Sequence, residues 1–98
     1  MFTGIVQGIG TVRSVTKGTA VWTFAIELPD TSGLQRGASV AVHGVCLTAT
    51  EIVGSCVHFD VIPETLERTT LSSLEAGSEV NIERSLKMGD ELGGHLLS

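Results

Sequence analysis

Along most of this chain, apolar and polar residues alternate. From Ala20 the even positions read Ala20, Trp22, Phe24, Ile26 and Leu28, with Thr23 and Glu27 on the other face. That period of two predicts a half-buried strand, closed by the Pro29-Asp30 turn pair. A helix would need apolar residues at three- and four-residue spacing, which this stretch lacks. An earlier strand fits Gly4 to Val15, and its interior glycines, Gly8 and Gly10, predict bulges or sharp bends.

The stretch from Ser39 to Ile62 reads as two more long strands. The first runs from Ser39, is interrupted at Gly44, and resumes from Cys46 to Ile52. Val53-Gly54-Ser55 is the hairpin turn, and Cys56 to Ile62 returns antiparallel. Pro63 followed by Glu64 favours one short helix to about Thr69, because proline suits a first helical position. Glu75 to Ser78 is a turn, Glu79 to Arg84 alternates as a last strand, and Lys87 to Ser98 is glycine-rich. Short antiparallel strands separated by turns, with one short helix, predict an all-β chain folded as a small closed Greek-key barrel. Closure removes the exposed edges that such strands would otherwise present to other chains.

Ninety-eight residues without a dividing linker make a single domain spanning 1–98. The formal net charge is −5 and the six Lys plus Arg are scattered singly, so nothing gathers the cations that a nucleic acid requires. No apolar run reaches the roughly eighteen residues of a membrane span. The opening Met1 to Gly8 has neither a basic start nor a cleavable apolar stretch, and a cytosolic chain with reduced thiols is expected. Cys46 and Cys56 form no Cys-x-x-Cys pair, and His43, His58 and His95 are dispersed, so no metal site is expected.

Candidate chemistry concentrates between Ser39 and Thr50, around Gly44 and Cys46. Glycine allows close approach to the backbone, and Thr48 and Thr50, two apart, share a strand face. Hydroxyls at Ser39, Thr48 and Thr65 both donate and accept, which suits a ligand rich in carbonyls and hydroxyls. The competing reading is of ordinary strand threonines and a buried free cysteine acting as a small hydrophobe. A Cys46–His43 nucleophilic pair is disfavoured, since residues three apart on one strand face opposite sides unless a bulge at Gly44 re-aims one. Gly8-Ile9-Gly10 lacks the lysine and helix of a phosphate loop.

Five blocks in register carry a more specific signal. Met1-Phe2-Thr3-Gly4-Ile5-Val6-Gln7-Gly8, Gly37-Ala38-Ser39-Val40, Gly44-Val45-Cys46-Leu47-Thr48, Phe59-Asp60-Val61 with Glu64-Thr65-Leu66, and Gly93-Gly94-His95-Leu96 resemble the riboflavin synthase family along the whole chain. The resemblance implies a six-stranded antiparallel barrel, two of them in tandem in the family, and a C-terminal helix that assembles a trimer. It implies a reaction in which one 6,7-dimethyl-8-ribityllumazine donates a four-carbon unit to another, giving riboflavin and a pyrimidinedione, with no metal or redox cofactor. The reaction centre would lie between the first barrel of one subunit and the second barrel of its neighbour. This chain would then be the N-terminal half, lacking the second barrel, and would bind lumazine or riboflavin without efficient turnover.

By position, the resemblance makes Ser39, Ala41, Cys46 and Thr48 a ligand-facing strand region, with Cys46 and Ser39 at the reacting atoms. Phe2, Thr3 and Gly4 match a segment reaching toward the ligand, Asp60 and Ile62 match backbone that reads the pyrimidine edge, and Thr65 matches a contact at the helix start. There are two departures: His43 stands where the family has asparagine, and Val45 where a further cysteine is frequent. His43 either adds a titratable group beside the ligand or is a tolerated surface replacement. A family histidine expected just past Gly-Gly-His-Leu falls beyond Ser98. A non-catalytic antenna protein of the lumazine-protein type is the alternative, and a generic barrel for protein contacts a third. A lone barrel is expected to form a homodimer, with Leu96 and Leu97 near the contact.

Overall fold

The computed structural model describes residues 8–84. Six strands are present: β1 (Gly8–Lys17), β2 (Trp22–Glu27), β3 (Ser39–Val42), β4 (Val45–Val53), β5 (Cys56–Val61) and β6 (Glu79–Arg84). One helix, α1 (Pro63–Arg68), and a single 3-10 turn at Leu71–Ser73 join β5 to β6. The sheet closes in the order β1-β2-β5-β4-β3-β6, with antiparallel pairing throughout. Strands β3, β4 and β5 follow one another by tight turns, and β2 lies beside β5 after a long connection, which is the Greek-key arrangement.

Alternation decides what fills the barrel. Val12, Phe24, Ile26, Val40, Val42, Leu47, Ala49, Val57, Phe59, Val61, Val80 and Ile82 point inward and are buried together, with Leu28, Leu66 and Leu71 added from the connections. Phe24 stands opposite Phe59 across β2 and β5, and burying each ring contributes on the order of 2–3 kcal/mol. No polar or charged side chain of the described residues is buried. The interior is a packed apolar core, so recognition of a polar ligand belongs on the outer surface.

Three local features depart from the sequence pattern. The single interrupted strand expected from Ser39 to Ile52 is two strands, folded back at His43-Gly44. Val42 pairs with Val45, and both turn residues have positive φ, 53° at His43 and 85° at Gly44, so the connection is a two-residue type I′ hairpin. Alternation alone therefore predicted five strands, where the resemblance implied six and six are present. The bulges also lie elsewhere than at Gly8 and Gly10. One adds Arg13 to β1, between Val12 and Ser14; the other adds Thr50 to β4, between Ala49 and Glu51. Gly10 faces inward, where a Cβ would sit 2.9 Å from the Glu27 carbonyl oxygen and 3.0 Å from Ile82 Cγ1, so it serves close packing. Finally, β2 begins at Trp22, leaving Ala20 outside the strand.

The predicted helix forms where expected. Pro63 sits at its first turn, Leu66 is its buried anchor, and Glu64 pairs with Arg68 at 3.0 Å one turn on. Thr69 returns to extended backbone and donates its hydroxyl to the Thr65 carbonyl at 2.8 Å, ending the helix. Among the described residues no helix is long and apolar enough to cross a membrane.

Candidate ligand-binding site at a split in the barrel wall

The wall of the barrel is unevenly zipped. β4 pairs with β5 only between Ala49–Val53 and Cys56–Phe59, whereas β3 pairs with Val45–Thr48. The last residues of β5, Asp60 and Val61, pair with Thr23 and Trp22 of β2. Among the described residues, the first four positions of β4 thus have no strand partner on their β5 side. Two local causes produce the split. The extra residue Thr50 bends β4, its hydroxyl donating to the His58 carbonyl at 3.1 Å, and Pro63 ends any continuation of β5.

Hydrogen-bond parity shows which amides meet this gap. The Ala49 N–H donates to the Ala38 carbonyl at 2.9 Å, and the Ala49 carbonyl accepts from the Gly37 N–H at 2.8 Å. Odd-numbered residues of this part of β4 therefore bond toward β3, and Cys46 and Thr48 direct their N–H and C=O toward the split. Across it lie Asp60, the half-exposed Ile62 and the start of α1. The Ile62 carbonyl is taken by the Leu66 N–H at 3.1 Å as the helix begins.

The side chains fall in the same place. Ser39 stands opposite Thr48 and Ala41 opposite Cys46, all four on the outer face, because their strand neighbours Val40, Val42 and Leu47 point into the core. Cross-strand pairs of this kind hold their Cβ atoms about 5 Å apart. Cys46 and Thr48 are exposed, Ser39 half-buried, and Ala41 buried beneath its neighbours. Asp60 is exposed on the far side of the split, its carboxylate accepting from the Thr23 hydroxyl at 2.7 Å. Thr65, half-buried on the first turn of α1, completes the set.

Seven of the sequence-predicted site residues lie on the elements around the split: Ser39 and Ala41 on β3, Cys46 and Thr48 on β4, Asp60 on β5, and Ile62 and Thr65 at the start of α1. Phe2, Thr3 and Gly4 lie outside the described residues, as do His95, Leu96 and Leu97. The reading of Cys46 as a buried hydrophobe is corrected, since its side chain faces out. His43 and Cys46 lie in a turn and on a strand, not on one strand as their spacing suggested. Gly44 takes the positive φ that the hairpin requires. The second cysteine, Cys56, is free and lies away from the split, beside Glu27 and Val53. Burial, and then the Glu27 carboxylate, push its thiol above the ordinary cysteine range, while Arg13 offsets part of the rise.

The outward position of Glu83 in β6 is legible in the alternation, but its place opposite Ala41 follows from the β3–β6 pairing that only the fold reveals.

Known proteins resemble this chain along its length. The model of the lumazine binding domain family matches residues 3–85. Riboflavin synthase of Escherichia coli (strain K12) is 51% identical over 100 residues, covering 100% of this chain and 47% of that protein. Riboflavin synthase of Chlamydia pneumoniae is 48% identical over 101 residues, covering 100% of this chain and 50% of that protein. The chain spans about half the length of the curated relatives it matches. Among solved structures, LumP complexed with riboflavin superposes with a TM-score of 0.84 at 33% identity, over 100% of this chain and 54% of that one. LumP complexed with 6,7-dimethyl-8-(1'-D-ribityl) lumazine superposes at 0.80, also with 33% identity, over 87% of this chain and 49% of that one. A family match that runs almost end to end, on the barrel these complexes share, means that the chain belongs to the lumazine-binding domain family.

Proposed function

We propose that this chain is the N-terminal lumazine- and riboflavin-binding barrel of a riboflavin synthase. The observation that carries the reading is the split between β4 and β5, where main-chain groups and hydroxyls converge on one outer face. A pteridine edge alternates carbonyl and N–H groups along its length. The N–H and C=O of Cys46 and Thr48 have the strand spacing to meet such an edge, and Ser39, Thr48 and Thr65 offer hydroxyls to a ribityl chain. Among the described residues the core is filled by aliphatic and aromatic side chains, which leaves polar recognition to the outer face.

In the parent reaction two lumazine molecules meet, one donating four carbons to the other, and the products are riboflavin and a pyrimidinedione. The exchange takes place between the two bound molecules and uses no metal or redox cofactor. This barrel holds one of the pair, and Cys46 and Ser39 face it as polar support near the reacting carbons. A second barrel holds the other, in a trimer for the whole enzyme and in a homodimer for this chain alone. The reading places the protein in the cytosol, in keeping with two free thiols.

The second reading is a binding-only barrel, favoured by the likeness to LumP. Retention of Cys46-Leu47-Thr48, which sets Cys46 and Thr48 on the outer face, favours the enzyme lineage. Titration into riboflavin and into 6,7-dimethyl-8-ribityllumazine, followed by ligand fluorescence, tests the proposal. Saturation near one ligand per chain without riboflavin formation supports a half-site. Appreciable riboflavin formation from lumazine refutes the need for a second, different barrel, and no binding of either ligand removes the proposed function.

A further inference from the structure

We propose that Thr23, which lies outside the ligand set, is a positioning residue that holds the Asp60 carboxylate out of the split. This rests on the ligand-binding reading above. The Leu28 N–H donates to the Ser55 carbonyl at 2.9 Å, so odd-numbered residues along β5 bond toward β2. Asp60, even-numbered, therefore turns its own N–H and C=O toward β4 and the split. Thr23 and Asp60 stand opposite each other as a non-hydrogen-bonded pair, the kind whose side chains lie closest. The Thr23 hydroxyl donates across that short gap to Asp60 Oδ1 at 2.7 Å. Asp60 is exposed, so packing does not fix the direction of its carboxylate, and this hydrogen bond does.

The direction matters because of what lies on the other side. The last rung between β4 and β5 joins Ala49 to Phe59, which leaves Thr48 and Asp60 as the first residues beyond it. Thr48 directs its N–H into the split, one step from a carboxylate that accepts hydrogen bonds strongly. An aspartate left to itself bonds nearby main-chain N–H groups. Turned toward β4, the Asp60 carboxylate would take the donor that a pteridine carbonyl needs and would set its charge against that carbonyl. The preceding outward residue of β5 does lean that way, since His58 Nδ1 lies 3.5 Å from Glu51 Oε1 on β4. Asp60, beside the split, leans away from it, toward β2.

Thr23→Val keeps the side chain's shape and strand preference while removing the hydroxyl. Riboflavin titration of the whole chain is expected to show about fivefold weaker binding for Thr23→Val and parental binding for Thr23→Ser. In an Asp60→Ala background, Thr23→Val is expected to change affinity by less than about twofold, since no carboxylate is left to turn. Without ligand, hydrogen exchange at the Thr48 amide is expected to slow about threefold in Thr23→Val, and not in the double variant. Parental affinity in Thr23→Val overturns the proposal, as does a Thr23→Ser chain that binds no better than Thr23→Val. An equal loss in the Asp60→Ala background also overturns it, and assigns the effect to β2 packing. So does Thr48 exchange that Thr23→Val leaves unaltered. If the unaltered chain fails to bind riboflavin, the ligand-binding reading falls first, and Thr48 exchange still decides whether Thr23 restrains the carboxylate.

Discussion

Gly10→Ala is the sharpest test of how this barrel is packed. The added methyl would point inward, 2.9 Å from the Glu27 carbonyl oxygen, 3.0 Å from Ile82 Cγ1 and 3.2 Å from Ile26 Cγ2. All three distances are shorter than ordinary van der Waals contact. Neither isoleucine has room to retreat, since both are fully buried, at 0% for Ile26 and 1% for Ile82. The carbonyl belongs to β2, where Glu27 is in register with Thr11, so moving it disturbs the ladder. Overpacking of this kind costs about 1–3 kcal/mol. Against it stands the loss of glycine's unfolded-state freedom, which favours alanine by about 0.4–1 kcal/mol. The net is a destabilisation of about 1–2 kcal/mol, or a fall in Tm of about 5–15 °C for a domain of this size. Urea and thermal unfolding followed by the emission of Trp22, the single tryptophan, measure it directly. A Gly10→Ala chain as stable as the parent would refute the claim that this glycine exists for close approach.

Other outcomes follow from the same geometry. His43→Asn is expected to stabilise the chain by about 0.5–1 kcal/mol, because asparagine accepts the left-handed conformation that His43 holds at φ 53°. A Tm unchanged or lowered by that substitution would contradict the type I′ assignment. Thr48→Val is expected to weaken riboflavin binding about fivefold through one lost hydrogen bond, with little change in Tm since the side chain is exposed. Unaltered affinity would move the ligand off this face. Cys56 is protonated more readily in the folded than in the unfolded chain, so its contribution is complete below the ordinary value of 9.0 and declines as pH climbs past it. The urea midpoint of the parent should therefore fall more between pH 8 and 10 than that of Cys56→Ser, and equal slopes would refute the shift.

The strands were legible where alternation was strict. β2, β5, β6 and the Pro63 helix appear within a residue or two of where their patterns predict them. The β3–β4 hairpin was missed because its turn is His-Gly and lacks the asparagine that signals a type I′ turn, so the run of β-prone residues read as continuous. The bulges were misplaced because a bulge needs only an unpaired residue, and Arg13 and Thr50 supply it without glycine. The site was hidden for a different reason. Ser39, Ala41, Cys46 and Thr48 are small, three of them polar or thiol-bearing, and their pattern alone equally describes ordinary strand positions. The resemblance singled them out. Their meeting with Asp60, Ile62 and Thr65 depends on where β4 and β5 stop pairing, a property of register between strands.

Because the split presents main chain as much as side chain, part of the recognition proposed for it rests on atoms that every residue shares. Point mutation at Cys46 or Ile62 changes the decoration of the slot but leaves the order of its peptide groups. Only a change in register, through the extra residue at Thr50 or the stop at Pro63, erases that order. A barrel of this design is free to diverge in chemistry around a fixed frame.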